Sequence, residues 1–565
     1  MDVSPRAAGP RTSWLTAALR RWAAALSLAT TLTPALAAPL WFDEAGRPLA
    51  EAQQAVQLLA QAADEGLEPQ DYDAVALQRA VLQREQQAGA PEATAALDAA
   101  LSAAMQRYLN DLHVGRVMPA NVHQRYDGPA PSSGFDAVAV LQDAVAQRRL
   151  VETMRAATPV VPLYAALRQA LARYRALAAA TAVQQAWAAP LPVLPASTTK
   201  GNRKVEPGQP YAGLATLRQR LELLGDLPAG STPDPTLALP AVAASSAAAP
   251  ALYEGAVVEA VRAFQARHGL AADGVLGAAT LAQLAVPPAQ RVRQIALTME
   301  RLRWTPLLQA PRMVVINLPE FVLRAYETAP DGRITVRVKM RVIVGKALDT
   351  RTPMFDEDMR FIEFSPYWNV PPSIARKELV PELRRHPERF EALGYEFVGA
   401  DGRVLTTLAD AHLDAVLRGQ LRIRQRPGPK NALGDIKFVF PNNDNIYLHH
   451  TPAIELFTRE RRDFSHGCIR VEQPVELARF VLQDMPDWPE ARIREAMTQG
   501  RSATLKLATP VPVLIAYGTV LVKAGQLVFL PDVYGHDALL EQALMRRKAE
   551  PRAAEPGRPT TISPR

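Results

Sequence analysis

The feature that most constrains this chain is a change of texture at Met313. Before it, apolar residues recur at three-to-four spacing; after it, they alternate or run in β-branched blocks. The segments Met313–Leu318, Phe321–Tyr326, Ile334–Ile343 and Ile436–Phe440 read as strands, separated by Pro319, Asp331-Gly332 and Gly345. Helical patterning followed by strands predicts an α+β multi-domain protein. At 565 residues the chain is also too long for one hydrophobic core.

Punctuation divides it further. Residues 1–37 read as an export signal: Arg20 and Arg21 precede an apolar run from Trp22 to Leu32, and Ala35-Leu36-Ala37 offers small residues for cleavage. The competing reading is an uncleaved membrane tether, and the Arg pair admits a twin-arginine signal, with the Sec type favoured. Residues 38–189 read as an alanine-rich helical scaffold, with Val56, Leu59 and Ala63 on one face, Gly66-Leu67 closing a helix and Pro69 restarting the chain. A Pro/Ser/Thr/Lys-rich linker covers 190–212.

In 213–288, Leu214, Leu217, Leu221 and Leu224 share a helix face that Gly225 ends, and 227–252 is a Pro/Ala/Ser insertion of low complexity. The helical pattern resumes at Val257, Ala260, Val261 and Phe264, and Thr280 opens another helix. A connecting helix (289–312) leads to the β-rich unit, 313–485, in which 371–421 turns helical and charged and reads as an inserted lid. Residues 486–547 read as a return to the scaffold, with apolar strands in 511–533 and a closing helix, and 548–565 as a disordered tail.

The formal net charge is +7, of which Arg6, Arg11, Arg20 and Arg21 against Asp2 supply +3. The remaining +4 is too small and too scattered to argue for nucleic acid. One cysteine excludes an intramolecular disulfide, so in an oxidising compartment this thiol is either buried or used.

Its neighbours favour use. His449, His450 and His466 lie within twenty residues of Cys468, and an imidazole can take the proton of a thiol near neutral pH. Residues 446–449 read as the end of a strand and 463–471 as a return strand or turn, so His449 and Cys468 meet across the pair. Gly467 argues against a fully extended backbone that would bring His466 beside Cys468, and marks a close approach suited to an oxyanion hole. His449 is therefore the expected base, with the N–H groups of Gly467 and Cys468 as oxyanion donors. A zinc site of His449, His450, His466 and Cys468 is the alternative; adjacent histidines rarely converge on one metal, so neither metal nor cofactor is expected.

These residues resemble the active-site signature of the YkuD-type L,D-transpeptidases: His449, fifteen residues, then Ser465, His466-Gly467-Cys468, Ile469 and Arg470. The resemblance extends to Gln425–Gly434, Trp368–Pro372 and Arg301–Trp304. Phe264-Gln265, His268-Gly269-Leu270, Asp273-Gly274, Gly277 and Thr280 resemble the three-helix peptidoglycan-binding domain. Together they point to the long, multi-domain periplasmic branch of the family.

The resemblance implies a cysteine acyl-enzyme that takes a tetrapeptide stem, releases the terminal D-alanine and makes a 3→3 cross-link on a diamino-acid acceptor. It also implies that the carbonyl of residue 450 or 451 orients His449. Ser465, His466 and Arg470 are expected to support the dyad, and Tyr447, Trp368, Asn431 and Gly434 to line the substrate groove. Cell-wall synthases are candidate partners. The alternatives are an L,D-carboxypeptidase, a lipoprotein-attaching transpeptidase and a non-catalytic wall-binding scaffold.

Overall fold

The computed structural model describes residues 39–87, 90–126, 135–195, 203–228 and 251–549. The expected signal, most of the 227–252 insertion and the tail from 550 onward lie outside the described residues. The architecture is α+β: helices dominate the N-terminal part, and a large mixed sheet dominates the C-terminal part. Among the described residues no helix is long and apolar enough to cross a membrane.

The N-terminal helices Ala50–Ala60, Ala74–Gln86, Pro91–Val114 and Ala137–Ala146 bury one shared core built on Trp41, Leu59, Leu101 and Leu109. Near Gly66 the chain is a 3-10 turn, Ala62–Glu65, capped by Gly66 in the left-handed conformation, and Pro69 opens a second such turn.

In the three-helix unit, Leu214–Leu224 ends on left-handed Gly225, followed by Ala256–Arg267 and Ala278–Ala285. Here the motif residues hold the fold. Gln265 Nε2 donates to Asp273 Oδ1 and the Val275 carbonyl (both 2.9 Å), while its Oε1 accepts from Gly274 N–H. Buried His268 stacks on Phe264 and faces Phe529 of the C-terminal hairpin, which docks the unit.

Helix Pro288–Trp304 joins the modules through buried charge. Glu300 pairs with Arg303 (2.6 Å) and Arg116 (3.1 Å), and Arg303 also donates to the Tyr164 hydroxyl. Burial alone would raise the Glu300 pKa, but Arg116 and Arg303 more than offset it and hold the carboxyl below its usual range. On the opposite side Arg301 grips Asp537 and the His536 carbonyl at the start of the C-terminal helix, His536–Ala549. Both arginines of the Arg301–Trp304 segment are thus structural. Gly115 faces Trp304 so closely that an added Cβ would sit 2.9 Å from the indole.

The sheet closes on itself. Met354–Phe364 pairs with Ile436–Val439, then come Leu448–His449, Ile469–Val471, Ile334–Gly345, Val322–Thr328, Arg312–Asn317 and Ala503–Ala516, and this last strand returns to Met354–Phe364. Its apolar interior includes Val314, Leu323, Ile362, Phe438, Leu448 and Ile469. The unit expected to end at 485 therefore draws a strand from 486–547: without it Arg312–Asn317 would lack a second partner, and Met354–Phe364, which Gln124–Arg125 meets only at Met354 and Phe355, would stay open along the rest of that edge.

The insertion differs from the helical reading of 371–421. Its helices cover a four-stranded sheet of Trp368–Asn369, Leu421–Gln425, Tyr395–Gly399 and Val404–Leu405. These strands are short, and Tyr395–Gly399 is buried at every position, so no two-residue alternation marks it.

Candidate active site

The two signature segments pair in parallel, with Leu448 opposite Ile469 and His449 opposite Arg470. The antiparallel return suggested by their closeness in sequence is replaced by a crossover, because 463–465 pairs instead with the Ile334–Gly345 strand. Leu448 and Ile469 point into the core, so His449 and Arg470 face the other side. The two-residue period carries Tyr447 and Cys468 toward that same face. Lys437 stands opposite His449 on the next strand, and its Nζ lies 4.4 Å from the Tyr447 ring centre.

His449 is buried, and its Nδ1 meets the His450 carbonyl at 2.5 Å. A carbonyl only accepts, so Nδ1 carries the proton and the Nε2 lone pair remains for a base. Burial, reinforced by the positive charge of Arg470, pushes the His449 pKa down to about 3; the carbonyls of His450 and Leu433 pull the other way. The imidazole is therefore neutral across the physiological range.

Cys468 is half-buried, and its thiol donates to the Asn445 carbonyl at 3.6 Å. Burial pushes the thiol up, against the pull of the Tyr447 backbone N–H and hydroxyl and the charges of Lys437 and Arg470. Thiol and neutral imidazole, rather than a preformed ion pair, is the resting state this arrangement favours.

The loop that carries Cys468 is held from below. Gly467 has φ +116°, a conformation that disfavours a side chain. Ser465 Oγ donates to the Cys468 carbonyl (2.6 Å) and accepts from Gly467 N–H (3.2 Å). That bond corrects the expected oxyanion pair: Gly467 N–H is spent inside the loop, and Cys468 N–H is left as the candidate donor. Thr350 Oγ1 donates to the Ser465 carbonyl and Thr352 Oγ1 to the Gly467 carbonyl. Asn445 completes the cradle at φ +54°, held by Asn442, whose Oδ1 accepts from Ile446 N–H.

The remaining expected residues separate. Arg470 is largely buried and its Nε has no hydrogen-bond partner among the described residues, so it can receive an anionic group. His466 turns outward, its Nε2–H donating to Glu378 Oε1 at 2.7 Å, while His450 lies 3.2 Å from Asp435. Trp368 packs at the base of the insertion.

Asn431 and Gly434 need correction as groove residues. Asn431 is 1% exposed, donates to the Pro366 and Arg426 carbonyls and accepts from Leu433 N–H, so it ties the neck of the insertion. A Cβ on Gly434 would sit 2.6 Å from His450 Nδ1, so that glycine makes room for the His450 ring. Sequence reasoning missed Lys437, Asn445, Thr350, Thr352 and Glu378. All five come from segments remote from the signature or carry no motif of their own.

A sheet face bearing a cysteine, a neutral imidazole and an arginine whose Nε is unpartnered among the described residues holds the groups that thiol acyl transfer uses. Comparison with known proteins makes this specific. Residues 311–513 match the YkuD family model, "L,D-transpeptidase catalytic domain". Residues 35–171 match "Scaffold domain", and 212–284 match "Putative peptidoglycan binding domain". A Haemophilus influenzae protein named "Putative L,D-transpeptidase" is 30% identical over 251 residues, which is 44% of this chain and 49% of that protein. The chain thus spans about half the length of the curated relative it matches. It carries an L,D-transpeptidase catalytic domain of the YkuD family.

Proposed function

We propose that this chain is a periplasmic L,D-transpeptidase that forms 3→3 cross-links in peptidoglycan through a thioester on Cys468. The observation that carries the reading is the shared face of Cys468, Tyr447, His449 and Arg470, with His449 held by the His450 carbonyl in the tautomer a base requires. His449 Nε2 takes the thiol proton as sulfur attacks the carbonyl of the third stem residue. The peptide C–N bond breaks, and D-alanine leaves with that proton on its nitrogen. A neighbouring stem amine then attacks the thioester, His449 removes its proton, and the thiol is restored.

Cys468 N–H supplies the oxyanion contact, and Arg470 meets a stem carboxylate. The export signal expected in residues 1–37 and a wall substrate support the periplasm as its place of work. Residues 371–421 act as the lid, hinged at the neck that Asn431 ties.

The test is incubation of purified protein with disaccharide-tetrapeptide, followed by mass spectrometry. Cross-linked dimer is expected from wild type and none from Cys468→Ala. Dimer that persists in the variant would overturn the nucleophile, and tripeptide without dimer would make the enzyme a carboxypeptidase.

A further inference from the structure

Glu378 belongs to the insertion, yet it meets the nucleophile loop. It lies in a π-helical stretch, Ala375–Leu379, flanked by Pro372–Ile374 and Val380–Arg385. Such wide turns cost regular hydrogen bonding and concentrate at functional sites. Ala375 and Leu379 are buried in the insertion's own core and fix its rotation, leaving Glu378 on the outer side. Its carboxylate accepts from His466 Nε2, two residues before Cys468.

The insertion is otherwise joined at its neck. There the Asn431 amide donates to the Pro366 and Arg426 carbonyls, and the Arg424 guanidinium lies 4.3 Å from the Tyr367 ring centre. A hinge at one end and a contact at the other make a closure. The His466 and Glu378 side chains are 31% and 52% exposed, so water screens the pair and it can open and remake.

We propose that Glu378 is a positioning residue that latches the insertion onto His466, closing the entrance to Cys468 and coupling lid closure to the loop that carries the thiol. The inference rests on the lid reading above. It gives His466 a role distinct from that of His449: the buried imidazole serves chemistry, and the exposed one serves closure. Gly467 between His466 and Cys468 lets the imidazole face outward while the thiol stays on the sheet face.

The chain's single cysteine makes the test direct. Labelling rates of Cys468 are compared in full-length wild type, Glu378→Gln and Glu378→Ala, using a small haloacetamide and a bulky maleimide, with KM and kcat for tetrapeptide measured alongside. With the latch lost, the bulky reagent should react about two- to fivefold faster, as the loss of a water-exposed contact allows, and the small one at an unchanged rate. KM should rise by a similar factor with kcat little altered, and Glu378→Asp should recover part of both. In wild type, high salt should raise bulky labelling toward the variants' rate. An unchanged ratio of bulky to small labelling in both variants would overturn the latch. Because labelling needs no turnover, failure of the latch is distinguishable from failure of the transpeptidase reading.

Discussion

Two junctions meet the closed sheet, and they are built from opposite materials. On the scaffold side, Glu300, Arg116 and Arg303 are buried, and Arg301 and Asp537 are nearly so. On the insertion side, a neck tied by backbone hydrogen bonds and the Asn431 amide is paired with an exposed contact, Glu378 to His466. A buried charge cluster tolerates no partial separation, because each ion left unpaired in a dry interior is costly. An exposed pair loses little on parting. The helical support is therefore fixed by ions that cannot part cheaply, whereas the lid proposed above is held by a contact that can.

The largest test of that contrast is Glu300→Ala. It leaves buried Arg303 without its carboxylate and Arg116 with only Asp71, at 3.8 Å, and should cost about 3–5 kcal/mol of stability in denaturant unfolding. A loss below about 1 kcal/mol would place this junction in the same class as the exposed one.

Acid is the next probe. His449 is pushed down to about 3 and His536 to about 4, both chiefly by burial, and His268 is pushed well below its usual value for the same reason. All three lie on the fixed side. The unfolded chain binds protons near the ordinary histidine value of about 6.5, whereas these folded sites resist them. Stability should therefore be full above about pH 6.5 and fall steadily toward pH 4. Hydrogen exchange should show the loss in the closed sheet and the three-helix unit before the insertion; uniform loss would remove the distinction.

The smallest effect belongs to Glu378→Gln, which should change global stability by less than about 1 kcal/mol while altering access to Cys468. A larger loss of stability would make the contact structural.

Much of this was legible in the sequence because its signals are local. The three-to-four spacing marked the helices, Gly225 marked a helix end, and Cys468 with His449 marked the candidate centre, whereas Gly66, expected to close a helix, ends a 3-10 turn beyond it. What stayed hidden depends on distant chain segments. Nothing near Ala503–Ala516 says that it pairs with two strands that both lie more than a hundred residues earlier in the chain. Thr350, Thr352 and Lys437 are ordinary residues until folding brings them beneath or beside the thiol. Asn431 looked like a groove residue because it lies in a segment of family resemblance, but its amide is spent on backbone carbonyls. Ser465 and Gly467 were read separately, and only geometry reveals that one consumes the other's N–H.

The closing strand also sets an order of assembly. Ribosomes make a chain from its N-terminus, so the scaffold, the three-helix unit and even Cys468 emerge before residues 503–516 exist. Until they do, Arg312–Asn317 and Met354–Phe364 each present an open edge, and the ring cannot close. Cys468 is synthesised before the frame around it is complete, so a nascent chain halted short of that strand carries the thiol without its finished setting.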